Sequence, residues 1–294
     1  MSKPVLFTGA GVALITPMHP DGRINFEKYR ELIDYQIEHG TDAIISVGTT
    51  GEAPTLEDDE HLEAIRVAIE QANGRVPVIA GTGSNNTEHA VYMSKEVQAM
   101  GADGLLLVTP YYNKTSQRGL ISHYSKIAGA VDLPIVLYNV PSRTGVNIQP
   151  KTVAELYKIP NIVALKQANG NFSETAQIAA LCDITLYSGN DDQIVPILSL
   201  GGKGVISVLS HVVPQQTHDI CQAWFDGDIE RSLSLQLEYL ELANALFADV
   251  NPIPVKEALN QMGFHVGDCR LPLAPMTNEA KQNMKDVLRR YSLI

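Results

Sequence analysis

Lys166 is the residue with the most chemical promise in this chain. It closes the apolar run Ile162-Val163-Ala164-Leu165-Lys166. A lysine side chain in water titrates near pH 10.4, so at pH 7 about one molecule in a few thousand carries the free amine. Apolar walls disfavour an ammonium, and a neutral amine held against them is a nucleophile for carbonyl carbon. A lysine at a strand end also snorkels its charge into water, and the run alone leaves both readings open. Tyr138 closes a second apolar run, 134–138. A phenol beside such an amine can carry a proton while a carbinolamine forms and collapses, although a lone tyrosine is more often the rim of a core. Thr49 and Thr50 lie between Gly48 and Gly51. Two hydroxyls and freely accessible backbone N–H groups suit a small carboxylate; the plainer reading is a tight turn. Arg143 follows Pro141-Ser142, where a stiffened backbone would aim its guanidinium as a fork at a second carboxylate. An isolated arginine is otherwise a surface ion-pair partner.

The elements that must position these residues have a regular spacing. Eight short apolar, β-branched runs occur at 11–16, 43–47, 76–80, 104–108, 134–138, 162–166, 184–187 and 204–208, with starts 20 to 33 residues apart. Each is nearly continuous in apolar character, as strands buried on both faces are. Helix-period segments lie between them. Residues 25–39 carry apolar side chains at Phe26, Tyr29, Leu32, Ile33 and Ile37. Thr55 with Asp58 has the look of a capping box opening a helix that runs to Asn73-Gly74, and the segment 87–100 stops at Gly101. Segments 117–130 and 152–157 repeat the theme. A strand–helix unit of about 30 residues repeated eight times predicts an α/β protein, a closed (β/α)8 TIM barrel; spacing alone also permits a doubly wound sheet. After Val213 the pattern is helical, with breaks at 226–228 and 251–254. Residues 1–225 are therefore expected to form the barrel, and 226–294 a C-terminal helical region packed on it. Active sites of such barrels lie at the C-terminal ends of the strands. That rule gathers 46–52, 109–113, 138–145 and 164–167 onto one face, so Lys166, Tyr138, Thr49, Thr50 and Arg143 converge.

Composition removes other classes. The 294 residues hold 22 Lys+Arg against 33 Asp+Glu, a formal net charge of −11. That balance argues against a nucleic-acid surface, which needs clustered cations. No run of about 18 apolar residues occurs, so no membrane span is expected, and the start 4–18, broken by glycines and Pro17, makes a poor signal peptide. A cytoplasmic protein is the expectation. Cys182, Cys221 and Cys269 form no C-x-x-C pair and read as buried, inert thiols. There is no H-E-x-x-H, G-x-S-x-G or phosphate-loop motif, and Gly9-Ala10-Gly11 and Gly81-Thr82-Gly83 lack the third glycine of a dinucleotide fingerprint. No metal site and no cofactor are expected. Asn190-Asp191-Asp192 offers oxygens to a cation, but reads better as a helix N-cap with acids at the positive end of the dipole.

Three motifs together carry a resemblance: Gly48-Thr49-Thr50-Gly51-Glu52, Thr109-Pro110-Tyr111-Tyr112-Asn113 and Tyr138-Asn139-Val140-Pro141-Ser142-Arg143-Thr144-Gly145. The chain resembles the pyruvate-dependent class I aldolase family of N-acetylneuraminate lyase and dihydrodipicolinate synthase, from Phe7 through Asn251-Pro252-Ile253-Pro254-Val255-Lys256. The paired threonines and Arg143 put it on the synthase side. The resemblance implies that Lys166 forms a Schiff base with pyruvate and that Tyr138 donates and accepts protons. It implies a relay of Thr49, Tyr138 and Tyr112, the last from a neighbouring subunit. Thr50 and the backbone at Ile206 would hold the pyruvate carboxylate, and Arg143 the carboxylate of L-aspartate 4-semialdehyde, the second substrate. It also implies a homotetramer built as a dimer of dimers, with the condensation feeding the diaminopimelate route to lysine.

Ala53 stands where many members carry Ser, and Gln167 where Glu is common. Ala53, His61, Asn85, His89 and Tyr111 resemble a regulatory lysine pocket at a dimer interface. Lysine-responsive members place a carboxylate where His89 stands, and a histidine is a poor partner for an ammonium, which argues against feedback. His61 and His89 also read as plain interface histidines. Two other functions stay open at this point. One is cleavage of a 2-keto-3-deoxy sugar acid by the same lysine; the other is a barrel that binds a keto acid without turnover.

Overall fold

The computed structural model describes residues 3–294. Eight parallel strands close into a barrel in sequence order: β1 (Gly9–Ala13), β2 (Ala43–Ser46), β3 (Val78–Gly81), β4 (Gly104–Val108), β5 (Ile135–Asn139), β6 (Ile162–Gln167), β7 (Thr185–Ser188) and β8 (Gly204–Ser207). Closure comes from β1 pairing with β8, Gly9 opposite Gly204 and Gly11 opposite Ile206. This is the (β/α)8 architecture expected from the spacing, and the doubly wound alternative is excluded by that last pairing.

Alternation along the strands sorts side chains into two layers. Ala13, Ile45, Ile79, Leu106, Val136, Ala164 and Ile206 pack with one another in the lumen. Val12, Ile44, Val78, Leu105, Leu137 and Leu165 point outward and pack against the helices. Burying each large aliphatic side chain contributes about 1.5–3 kcal/mol, and both layers are needed because a parallel barrel hides both faces of its sheet.

The first strand starts two residues earlier than expected and ends at Ala13. Glycines hid its beginning. Gly9 has φ 104° and Gly204 has φ 151°, and a Cβ on Gly204 would lie 1.9 Å from the Gly9 carbonyl oxygen. The barrel closes there because neither residue has a side chain.

The helices follow their local signals. In α1 (Phe26–Glu38), Asn25 caps by accepting from Lys28 N–H at 3.0 Å, and Tyr29, Leu32, Ile33 and Gln36 are buried. In α2 (Asp58–Ala72) the expected Thr55–Asp58 box is replaced. Thr55 belongs to a 3₁₀ turn, Ala53–Thr55, and the reciprocal pair is Glu57 with Glu60, whose Oε2 accepts from Glu57 N–H at 3.3 Å. The next helices are α3 (Thr87–Met100), α4 (Gln117–Ala128), α5 (Pro141–Thr144) and α6 (Pro150–Leu156). The sixth starts at Pro150 rather than Thr152, because proline is preorganised for the first turn. Then follow α7 (Phe172–Leu181), α8 (Ile194–Ser199), α9 (Pro214–Phe225), α10 (Ile229–Glu238), α11 (Leu240–Ala245), α12 (Ile253–Gln261) and α13 (Asn278–Arg290). Between α12 and α13 the chain runs without helix, where the sequence pattern predicts helix. No helix among the described residues is long and apolar enough to cross a membrane.

Candidate active site

The register of β5 against β6 builds the centre of the site. Ile135 pairs with Ile162 but Val136 with Ala164, a one-residue shift that sets Tyr138 opposite Lys166 and Asn139 opposite Gln167. Because Val136 and Ala164 face the lumen, Tyr138 and Lys166, two residues on, face it too. Both are 6% exposed, and the Lys166 amine lies 4.4 Å from the centre of the Tyr138 ring. The strand extends one residue past the lysine, and that residue, Gln167, points the other way.

Behind the pair, on the helix side, lies an amide network. Asn139 Nδ2 donates to Gln167 Oε1 and to Asn147 Oδ1, each at 2.8 Å, and Asn139 Oδ1 accepts from Ile148 N–H at 3.0 Å. Asn147 and Asn169 both donate to Glu174 Oε2 at 2.8 Å. A fully connected network fixes the strand ends against twisting. Gln167, where Glu is common in similar chains, meets Asn139 through its amide.

The turn after β2 supplies the threonines. Thr50 is buried, and its Oγ1 accepts from Asn251 Nδ2 at 2.9 Å. The same Asn251 offers its carbonyl oxygen to Arg143 Nη2 at 3.3 Å. Arg143 itself sits on α5, started by Pro141 and stopped by Gly145 at φ 69°. Thr49 is half-buried. Ile206 lies on β8 facing the lumen. Tyr112 stands apart, 90% exposed with φ 69°. Among the described residues no hydrogen bond links it to Tyr138 or Thr49. The structure thus brings together Lys166, Tyr138, Thr50, Arg143 and Ile206 at one barrel mouth, and leaves Tyr112 reaching outward.

As expected, Asn190 stands at the N-cap position of a 3₁₀ turn, Asp191–Gln193, with Asp191 and Asp192 in its first turn; the Asp191 carboxylate has a further use. It is 3% exposed, and its Oδ2 accepts from Val208 N–H at 3.0 Å and Leu209 N–H at 2.9 Å, directly after β8. Burial pushes its carboxyl above the usual range, opposed by these donors and by the Lys166 charge. The available signal was its place at the C-terminal end of a barrel strand. His211 is likewise buried; its Nδ1 faces the Val208 carbonyl at 2.9 Å, and its Nε2 accepts from Ile15 N–H at 3.0 Å.

The regulatory set divides. His61 is buried with Nε2 2.7 Å from the Gly81 carbonyl, and burial lowers its pKa. Asn85 Nδ2 donates to the Tyr111 carbonyl at 3.3 Å, His89 Nε2 meets Asp58 Oδ1 at 2.8 Å, and Ala53 opens the 3₁₀ turn. Of the three thiols only Cys221 is fully buried. Burial raises all three, Cys269 to about 12, so thiolate chemistry is suppressed. Among the described residues no group of three or more His, Cys, Asp or Glu is arranged to hold a metal ion.

Residues 6–291 match the Dihydrodipicolinate synthetase family. The chain belongs to that family. A 4-hydroxy-tetrahydrodipicolinate synthase of Caldicellulosiruptor bescii is 57% identical over 289 residues, 98% of each chain. Among solved structures, the dihydrodipicolinate synthase of Acinetobacter baumannii, in complex with pyruvate, is 42% identical with TM-score 0.95, covering 98% of this chain and 99% of that one. The enzyme of Cyanidioschyzon merolae, with lysine bound, is 41% identical with TM-score 0.96, covering 99% and 100%. Dihydrodipicolinate synthetases are lyases of the class I aldolase type, the class to which the sequence motifs had pointed.

Proposed function

We infer that this chain condenses pyruvate with L-aspartate 4-semialdehyde to give 4-hydroxy-tetrahydrodipicolinate, on the diaminopimelate route to lysine. The observation that carries the reading is the buried Lys166 amine over the Tyr138 ring at 4.4 Å. A lysine aimed into an apolar lumen next to a phenol is placed to attack a keto group, with the phenol at hand to move the proton.

The Lys166 amine adds to C2 of pyruvate. Tyr138 delivers the proton that lets the carbinolamine oxygen leave as water, and a protonated imine remains. That imine draws electrons from the methyl group, which loses a proton to become an enamine. The enamine carbon attacks the aldehyde of the second substrate, forming the new C–C bond and an alcohol. The second substrate's amine then attacks the imine carbon, closing the ring and expelling the Lys166 amine. Thr50 and the Ile206 backbone take the pyruvate carboxylate, and Arg143 takes the carboxylate of aspartate semialdehyde. The 90% exposure of Tyr112 supports its use by a neighbouring subunit, completing the Thr49–Tyr138–Tyr112 relay in a homotetramer of two dimers. For lysine feedback we propose no response, since position 89 carries a histidine that already engages the Asp58 carboxylate.

Borohydride reduction with pyruvate, followed by mass mapping, tests the assignment. The expected result is a reduced pyruvate adduct on Lys166 that Lys166→Ala lacks. An adduct on another lysine would refute it. Turnover of a keto-deoxy sugar acid in preference to aspartate semialdehyde would refute the substrate pair while sparing the lysine.

A further inference from the structure

The turn from β2 into the site is bent hard at both ends. Val47, fully buried and β-branched, has φ 52°, and Glu52 has φ 60°. A β-branched residue in the left-handed region is a true outlier. Such conformations persist only where surrounding contacts over-determine them. Between the two lie Gly48, Thr49, Thr50 and Gly51; a Cβ on Gly51 would sit 2.9 Å from Val47 Cα, so the turn is closed back upon itself. The barrel contributes one tether, Thr16 Oγ1 donating to the Gly51 carbonyl at 2.7 Å.

The remaining tethers come from about two hundred residues away. Lys256 Nζ, on α12, donates to Glu52 Oε1 at 2.6 Å and to the Asp268 carbonyl at 2.9 Å. Arg270 N–H donates to Glu52 Oε2 at 2.8 Å. The side chains of the ion pair are 2% and 0% exposed. Asn251, just before α12, donates to Thr50 Oγ1. Arg270 then anchors the same segment, donating to the Thr55 carbonyl and Glu60 Oε2, each at 2.7 Å.

A dry ion pair is a poor source of stability. The desolvation of both charges offsets most of their attraction, and apolar replacements of such pairs are often neutral or stabilising. What this pair does instead is fix geometry, since Glu52 has both oxygens committed in fixed directions. We propose that the Glu52–Lys256 pair, with Asn251, is a clamp through which the C-terminal region holds the strained 47–52 turn in the shape that receives the pyruvate carboxylate. Glu52, Lys256 and Asn251 are then positioning residues for the reaction, acting through Thr50. The proposal rests on the reading of Thr50 given above.

The test uses the full chain and the pyruvate concentration giving half-maximal borohydride trapping. Each single variant, Glu52→Gln or Lys256→Met, strands one buried charge and lowers the melting temperature. The double variant removes both charges and recovers a melting temperature close to the parent's. In it, half-maximal trapping is expected to need about tenfold more pyruvate, the equivalent of one misplaced hydrogen bond to a carboxylate. Turnover at saturating pyruvate is expected to stay within about threefold, because Lys166 and Tyr138 are held by other contacts. Asn251→Ala, which leaves the ion pair intact, is expected to shift pyruvate half-saturation in the same direction. A folded double variant, or a folded Asn251→Ala, with unmoved half-saturation overturns the clamp. Failure of the parent chain to be trapped at all would instead remove the pyruvate reading, and the clamp with it.

Discussion

Acid is expected to loosen this barrel through His211. The ring joins two strand ends: its Nδ1–H donates to the Val208 carbonyl after β8, and its Nε2 accepts from Ile15 N–H after β1. Only the neutral ring can do both, because protonation would turn Nε2 into a donor facing a donor. Burial pushes the ring from its ordinary value down to about 4. An unfolded chain takes up this proton near pH 6.5. Between those values the unfolded state binds more protons, so stability rises with pH across the window. The contribution is complete above about pH 6.5 and lost by about pH 4. That lowering corresponds to about 3 kcal/mol. The perturbation is His211→Gln, whose amide can accept from Ile15 and donate to Val208 but does not titrate. It is expected to cost about 1 kcal/mol at neutral pH. Urea unfolding of both chains, at one protein concentration and at steps from about pH 7 to about pH 4, gives the difference between them. The other titrating groups, His123 included, are common to both chains and cancel. The parent is expected to lose about 3 kcal/mol more than the variant. Parallel stability curves would refute the argument.

Two further outcomes follow from the site. Tyr112→Phe is expected to lower turnover about a hundredfold, the size of a lost proton-transfer partner, with pyruvate trapping on Lys166 unchanged; steady-state rates beside a trapping titration check this, and unaltered turnover removes Tyr112 from the relay. Arg143→Ala is expected to raise KM for aspartate semialdehyde about 10- to 100-fold, the worth of a hydrogen bond between charged groups, and to leave pyruvate half-saturation alone; an equal rise for both substrates would place the arginine elsewhere.

Much of the fold was legible because a parallel barrel demands strands that are apolar throughout. That demand also exposed Lys166, since a charge at the end of such a run stands out. The first strand was placed late because its closing contact is made by glycines, which carry no strand signal. The cap of α2 was misassigned because Thr55 and Asp58 satisfy the same short pattern as Glu57 and Glu60, and only the geometry of the 3₁₀ turn separates them.

The candidate site was legible only in its local parts. Thr50, Tyr138, Arg143 and Lys166 follow from one rule about strand ends. The residues that hold them do not, because their partners are remote: Asn251 reaches Thr50, Lys256 reaches Glu52, and Asp191 reaches across to the amides after β8. Each was visible only as a generic polar residue in a helix start, a helix or a turn. The common feature is that a buried polar group must find a partner somewhere. In a sequence, Glu52 in the turn after an apolar strand, and Lys256 directly after the apolar Ile253-Pro254-Val255 run, are two charges of opposite sign awaiting one. Their pairing makes the C-terminal region part of the site: α12 and the chain on either side of it hold the turn that follows β2.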